Sequence, residues 1–436
     1  MKKINLVYDK WDNEKNYPYP NLHETLGSNS FRDESGFFDF YERYFHVRHK
    51  FERNSLPIKR NKIEDVYKSP QEKFYYFIKI SIGIDEVFEH KESSFSDEVI
   101  KCLKDCPNLN VVFLSEHEGD KEQSFITLLN VIKNLSLNEK QFYILNNNSN
   151  LNNYKFKFKS DINTFRLNLI PLTCNSVFSE VKVEFNTNKI GKFFICQNRS
   201  QKAHRYAVLS LLKKNNILDN TNWSLTSGQK RNKDDWGFLD CIFDEKEIDE
   251  LKEEIDYFYN IEIKISDFED SKWFKIGNGD INRDGFPELG GSAGESGGMM
   301  LPEHSIAYNN SYINIVTETE FMDENNTIHI SEKSFRPFAF YQIPIIISTQ
   351  NHIKKMKEEF GFDFFDDLIN HSYDELPKLR ERINGALSEI IRLNNNKEFI
   401  IDFYGKNRDR FEKNREIVCK IPDKLDDYNF FKSLMS

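Results

Sequence analysis

Short apolar runs separated by helix-period segments are the feature that most limits what this chain can become. Residues 5–8, 74–82, 111–114 and 142–145 are apolar and rich in aromatic or β-branched side chains, as strands buried on both faces are. Between them, residues 96–104 and 125–135 place apolar side chains at helical spacing. Strand and helix alternating at intervals of about 30 residues predict an open α/β sheet. A second block of the same kind starts near residue 180. Residues 192–196, 312–316 and 344–348 read as strands, and 203–214, 352–359 and 376–393 as helices, the last extending toward the end of the chain. The polar tract 146–153 reads as a loop. A chain of 436 residues needs more than one core. The expected division is 1–180, 181–385 and a helical extension over 386–436 that packs back on the rest.

Composition narrows the partners. The formal net charge is −10, so the mean field does not draw the chain to nucleic acid. Residues 43–62 are a local exception. There Arg48, Lys50 and Arg53 alternate with Tyr44, Phe45 and Phe51, a mixture suited to tracking a phosphate backbone and stacking on bases. Glu42, Glu52, Glu64 and Asp65 dilute the patch, and a charged helix-and-loop surface is the competing reading. Six cysteines without framework spacing predict reduced thiols, with Cys102 and Cys106 packing one helix. No run approaches the ~20 apolar residues that span a bilayer, and Met1-Lys2-Lys3 does not open a signal peptide. A cytoplasmic protein is expected, in the host cytoplasm if phage or viral, with its oligomeric state open.

Chemistry concentrates after two of the expected strands. Beyond 192–196 come Asn198, Arg199, Lys202, His204 and Arg205, ahead of a helix. Ligands of open α/β sheets bind beyond the carboxyl ends of the strands, and a helix N-terminus there offers N–H groups and a positive dipole end to a phosphate. Arg can grip a diphosphate bidentately. A solvated helix start with surface charges fits the same composition. Beyond 312–316 stand Glu318 and Glu320, then Ser331-Glu332-Lys333. Ser331 is expected to cap a helix starting at Glu332, which puts Lys333 at the positive end. Carboxylates for ribose and sugar hydroxyls beside cations for a departing diphosphate are what a sugar nucleotide requires. An ion-paired helix start is the alternative.

The run Ser331-Glu332-Lys333-Ser334-Phe335-Arg336-Pro337, then Pro344, Phe360-Gly361-Phe362 and Ser372-Tyr373-Asp374-Glu375, resembles a glycosyltransferase family of bacterial, phage and large-virus genomes. Members read roughly T-E-K-T-x-K-P, a strand opened by P-F, G-F-x-T-F and E-S-Y-D. Residues 194–205 and 308–320 resemble the same family's strand–Asn-Arg–His-Arg segment and its N-S-Y-x-x-x-V-T-E-T. The Glu-Lys element is also similar to the donor motif of the α1,3-fucosyltransferases. The resemblance spans about residues 190–385. Ser331 and Ser334 stand where Thr is common, Ile345 replaces Phe, and His371 stands where Glu is common. The resemblance implies the GT-B architecture, two Rossmann-like α/β lobes facing an interdomain cleft, with a sugar-nucleotide-dependent transferase activity. It further implies Arg199, Arg205 and Lys333 on the diphosphate, Glu332 on the ribose, and Glu318 near the sugar or its nucleotide.

An inverting transferase needs a base for the acceptor hydroxyl. Glu116, His117 and Glu118, after the 111–114 strand, have the right chemical types, although acidic loops after strands are common; Asp9 is a weaker candidate. No Asp-x-Asp pair follows a strand, so metal-independent stabilisation of the leaving group by Arg and Lys is expected, with a nucleotide diphosphate sugar as co-substrate and no cofactor. Residues 280–285 imitate the opening of a calcium loop, but Gly291 stands where its bidentate Glu belongs. The Gly-rich tract 290–298 is either a lid over phosphates or a surface segment. The acceptor is a glycan or small hydroxyl compound, or a hydroxymethylated base in phage DNA. The rival to an enzyme is a non-catalytic GT-B-like module that binds a nucleotide or polyanion.

Overall fold

The computed structural model describes residues 4–8, 58–80, 95–115, 122–166, 174, 178–179, 183–189, 191–198, 202–226, 239–259, 263–265, 308–322 and 327–420. They form two compact units. One holds the described residues up to 166 together with 327–329; the other holds those of 174–322 and 330–420.

The first unit is a six-stranded, all-parallel sheet with strands β1 (Ile4–Tyr8), β2 (Ile58–Lys62), β3 (Phe74–Ile80), β4 (Leu109–Ser115), β5 (Phe142–Asn146) and β6 (Asn163–Arg166), in the order β2-β1-β3-β4-β5-β6. Helices α1 (Ile63–Lys68), α2 (Asp97–Asp105), α3 (Glu122–Asn134) and α4 (Leu151–Phe158) connect or flank the strands. The central strands read as near-continuous apolar runs because both faces are covered: Phe74, Tyr76, Leu109, Val111, Val112, Phe113, Phe142 and Ile144 are all buried. Ser96 caps α2 by accepting from Val99 N at 3.2 Å, and the helix buries Val99, Cys102 and Leu103, with Cys106 at its C-cap. Side-chain amides close the backbone groups that strand ends leave open: Gln141 Nε2 donates to the carbonyls of Cys106 and Leu109.

Two local expectations give way here. Only the first part of 146–153 is loop. Asn146 Oδ1 accepts from Asn148 N and Asn148 Oδ1 from Asn150 N, two successive Asx turns. From Leu151 the chain is helical, because Leu151 and Tyr154, three apart, can be buried together. Part of the basic stretch is likewise a strand: β2 lies at the sheet edge with Lys59 and Lys62 exposed, where charge discourages pairing with another chain. Residues 327–329 also join this unit. His329 bridges Asn148 in antiparallel fashion, and Ser149 N donates to Ile328 O at 3.0 Å.

The second unit contains β7 (Phe194–Asn198), α5 (Ala203–Lys214), β8 (Thr221–Thr226), α6 (Glu245–Glu250), α7 (Lys252–Tyr259), β9 (Ile263–Ile265), β10 (Ile313–Thr317), α8 (Glu332–Ala339), β11 (Ile343–Ile347) and α9 (His352–Phe360). A 3₁₀ turn (His371–Glu375) and helices α10 (Leu379–Asn394), α11 (Lys397–Lys406) and α12 (Arg408–Cys419) complete it. Where one long final helix was expected, the chain breaks at Asn395–Asn396 and again at Asn407. The sheet runs β11-β10-β7-β8-β9, parallel except for β9. Numbered within the unit this is the 3-2-1-4-5 order of doubly wound nucleotide-binding sheets, and the order reverses between β7 and β10. Among the described residues no helix is long and apolar enough to cross a membrane.

Several family-like motifs are framework here. Phe362 stacks on Phe338 with centroids 4.1 Å apart, and Phe335 meets Phe360 edge-on at 5.2 Å, so the aromatic pair around Gly361 backs α8. Gly361 itself ends α9 at φ +74°, a left-handed position that glycine takes without strain. Asp374 accepts from Ile353 N and Lys354 N, both at 3.1 Å, and so closes the start of α9 from a distant turn.

Candidate donor-binding corner

The two strands that flank the reversal end in residues that bind one another. Thr317 Oγ1 donates to Asn198 Oδ1, while Asn198 N donates to Ser224 Oγ at 3.1 Å. Asn198 thus ties β10, β7 and β8 together and is 2% exposed; its side chain belongs to the framework. Arg199 lies outside the described residues. Lys202 is the N-cap of α5, and its Nζ reaches across to donate to the carbonyl of Thr319 at 2.7 Å.

The start of α5 is a packed surface and not a solvated one. His204 and Arg205 are both buried. His204 lies over Phe321 with centroids 4.1 Å apart, and Nε2 donates to the carbonyl of Glu318 at 2.8 Å, since that oxygen can only accept. Burial, reinforced by the nearby Arg205 charge, holds the imidazole well below its ordinary pKa and therefore neutral, although the Glu318 carbonyl works the other way.

Glu318 is the hub of the second segment. Fully buried, it accepts through Oε1 from Ser331 N (3.2 Å) and Ser334 Oγ, and through Oε2 from Thr319 N (3.0 Å) and Ser331 Oγ (2.6 Å). Four donors on one carboxylate satisfy a charge that burial would otherwise penalise heavily. Glu320 turns back on its own chain, Oε1 accepting from Phe321 N and Met322 N at 3.0 Å each.

Ser331 caps α8 as its position predicts, Oγ accepting from Lys333 N at 3.3 Å. The Lys333 ammonium, with the side chain 19% exposed, donates to Thr319 Oγ1 (2.9 Å), Ser331 Oγ (3.2 Å) and Glu332 Oε1 (3.1 Å). Lys202 and Lys333 therefore arrive from separate segments and bind two oxygens of one residue, Thr319. Arg336, one turn further along α8, joins Glu332 Oε1 at 3.3 Å and Tyr308 OH at 3.5 Å. Burial works to raise the Glu332 pKa, but Lys333 and Arg336 outweigh it and bring it down to about 2.

The structure thus gathers Asn198, Lys202, His204, Glu318, Ser331, Glu332 and Lys333 around the reversal between β7 and β10. Glu116, His117, Glu118, Arg48, Lys50 and Arg53 lie outside the described residues, as do the tracts 280–285 and 290–298. Two residues of the corner, Thr319 between the two carboxylates and Arg336 on α8, are not among those expected from the sequence. For both, the available signal was polarity within three or four residues of Ser331–Lys333 or Glu318.

No family model matches the chain, and no curated protein matches it. Among solved structures the chain is similar to the DNA-modifying enzyme β-glucosyltransferase, solved in the presence and absence of its substrate uridine diphosphoglucose, at 10% identity and TM-score 0.35, covering 100% of this chain and 99% of that one. It is also similar to a UDP-forming α,α-trehalose-phosphate synthase from Burkholderia xenovorans, at 8% identity and TM-score 0.41, again covering 100% and 99%.

Proposed function

We propose that the chain is a GT-B-type glycosyltransferase that moves a sugar from a nucleoside diphosphate sugar to an acceptor hydroxyl, with the donor held at the β7/β10 reversal. The observation that carries this reading is the convergence of Lys202 and Lys333 on Thr319 at the carboxyl ends of the strands flanking that reversal. Ligands of open α/β sheets bind at such a point, and a diphosphate binds cations set at helix starts. As the sugar leaves, negative charge grows on the bridging and terminal oxygens of the diphosphate. Two ammonium groups held at the corner by hydrogen bonds stabilise that charge, Lys333 exchanging one of its three bonds for a diphosphate oxygen. Lys333 suits this role as a cation in the first turn of α8, at the positive end of the helix dipole.

Glu332 is assigned to the ribose hydroxyls. Its Oε1 already holds Lys333 and Arg336, and its low pKa keeps it an acceptor at any physiological pH. The acceptor's proton is assigned to the Glu116-His117-Glu118 run, and leaving-group stabilisation is assigned to protein cations without a metal. A glycan or small hydroxyl compound is the proposed acceptor, ahead of a hydroxymethylated DNA base.

The test is a panel of uridine, guanosine, adenosine and thymidine diphosphate sugars incubated with the purified chain, with release of the nucleoside diphosphate followed by mass spectrometry. Release from at least one donor, lowered about 100-fold in Lys333→Ala, supports the reading. Binding without any turnover would make the chain a nucleotide-binding module, and absence of binding would remove the donor site altogether.

A further inference from the structure

His352 has no part in the reading above, yet it stands directly behind the corner that holds Lys333. It is fully buried at the first position of α9. Its ring joins two elements: Nε2 lies 3.0 Å from Ser334 Oγ on α8, and Nδ1 lies 3.0 Å from Ser348 Oγ just after β11. The hydroxyl of Ser334 has one proton, and that proton goes to Glu318 Oε1. Toward Ser334 the ring must therefore donate, and Nε2 carries the hydrogen. From Glu318 the chain of bonds continues through Oε2 to Ser331 Oγ and Thr319 N, and these two residues supply the hydroxyls that receive Lys333 Nζ.

The far side of the ring is just as firmly held. Ser348 Oγ donates its one proton to the carbonyl of Glu320 at 3.2 Å, so toward the ring it accepts and Nδ1 carries a hydrogen as well, and the Ser348 carbonyl accepts from buried Arg382 Nε at 2.9 Å. Asp374 fixes the two residues that follow His352 through their N–H groups. The imidazole is thus a strut between a rigid backing and the one carboxylate that organises the corner.

We propose that His352 is a positioning residue for the donor site: its Nε2–H holds Ser334 and Glu318 in register and so sets the Lys333 ammonium where the diphosphate binds. This inference rests on the donor-site reading. The two ring nitrogens have unequal value in it, because only the Nε2 side leads to Glu318. Glutamine reaches the Nε2 position with an N–H group; asparagine reaches only the Nδ1 side.

The experiment compares His352→Gln, His352→Asn and His352→Phe by two readouts, with circular dichroism melts confirming that each is folded. Calorimetry measures the affinity for UDP, GDP and ADP. Trace labelling with acetic anhydride, read by peptide mass spectrometry, measures how far the Lys333 amine is withheld by Thr319 and Ser331. The Asn and Phe variants are expected to bind the preferred nucleotide about tenfold more weakly and to label Lys333 several-fold faster, while Gln recovers most of both. Equal behaviour of Gln and Asn, or Lys333 labelling unchanged in both Asn and Phe, overturns the proposal. If the native chain binds none of these three nucleotides nor TDP, the donor-site reading falls, and the order of Lys333 labelling alone decides whether His352 positions it. Should the Phe variant fail to fold, the Gln–Asn comparison still decides.

Discussion

Lys202 reaches the carbonyl oxygen of Thr319 while Lys333 reaches the hydroxyl of the same residue, at 2.7 and 2.9 Å. The two contacts separate cleanly by mutation. Thr319→Val removes the hydroxyl and keeps the carbonyl, so it takes away one of the three bonds that hold Lys333 and leaves Lys202 in place. Hydrogen bonds to charged groups are worth about 1.5–3 kcal/mol, so Lys202→Ala and Lys333→Ala are each expected to weaken nucleoside diphosphate binding by about 10- to 100-fold. Thr319→Val should cost less, about threefold to tenfold. Calorimetric titration checks the order. A Thr319→Val loss as large as that of Lys333→Ala would mean that Thr319 itself contacts the ligand.

Glu332 carries a second prediction, in acid. Its pKa is lowered from 4.5 to about 2 in the folded chain, against the opposing effect of burial, by Lys333 and Arg336. A carboxylate so lowered contributes stability that is present above its unfolded pKa and is lost as pH falls through the folded one. Thermal melts between pH 4.5 and 2 should therefore show a decline that Glu332→Gln flattens. An unaltered profile in that variant would show that the pair with Lys333 and Arg336 does not favour the folded state.

Two histidines set an earlier acid window. His371 accepts no charge readily: burial lowers its pKa from 6.5 to about 4, although the Phe364 carbonyl 3.0 Å from Nε2 works the other way. His204 is likewise held well below its ordinary value, by burial and Arg205. Both are neutral when folded and charge on unfolding, so the unfolded state takes up protons and stability falls as pH drops below about 6.5. The slope approaches about 1.4 kcal/mol per pH unit for each such histidine. His371→Leu should remove one histidine's share between pH 6.5 and 4, measured by urea unfolding at several pH values.

Much of the fold was legible because buried parallel strands announce themselves as apolar runs, and β3, β4, β5, β10 and β11 all do. The strands not expected from the sequence, β2, β6, β8 and β9, lack a long apolar run, for two of them with a clear physical reason. The edge strand β2 (Ile-Lys-Arg-Asn-Lys) needs charge, and β8 (Thr-Asn-Trp-Ser-Leu-Thr) mixes polar residues that bond its neighbours, as Ser224 does with Asn198. At the corner, the Ser331 cap and the placement of Lys333 followed from helix-start rules. The division of labour among the carboxylates did not. Glu318 and Glu332 look alike in the chain, yet one is sealed by four donors and the other sits partly exposed between two cations. Burial decides between them, and burial depends on contacts made across the sheet. The burial of Arg205, a candidate for the diphosphate by sequence, and of His352 is illegible for the same reason: nothing near them in sequence tells that they are enclosed.

The packing of Gly385 offers a control away from the corner. A Cβ built there would come within 2.5 Å of Tyr373 Cβ, next to the Asp374 that closes α9. Gly385→Ala should destabilise the chain by about 1–3 kcal/mol, the usual cost of overpacking. Gly361→Ala meets no atom within 4 Å and pays only for its positive φ, about 1 kcal/mol. Chemical denaturation of both variants would show the difference. A milder effect at Gly385 than at Gly361 would mean that the α10 contact with Tyr373 yields easily.

The proposed function requires a pyrophosphate group to sit between Lys202 and Lys333. A crystal structure of the chain soaked with UDP, GDP or ADP tests it most directly. Diphosphate oxygens are expected within about 3 Å of both Nζ atoms, with Thr319 beneath them. A nucleotide seated elsewhere, with both lysines still bonded only to Thr319, Ser331 and Glu332, would contradict it.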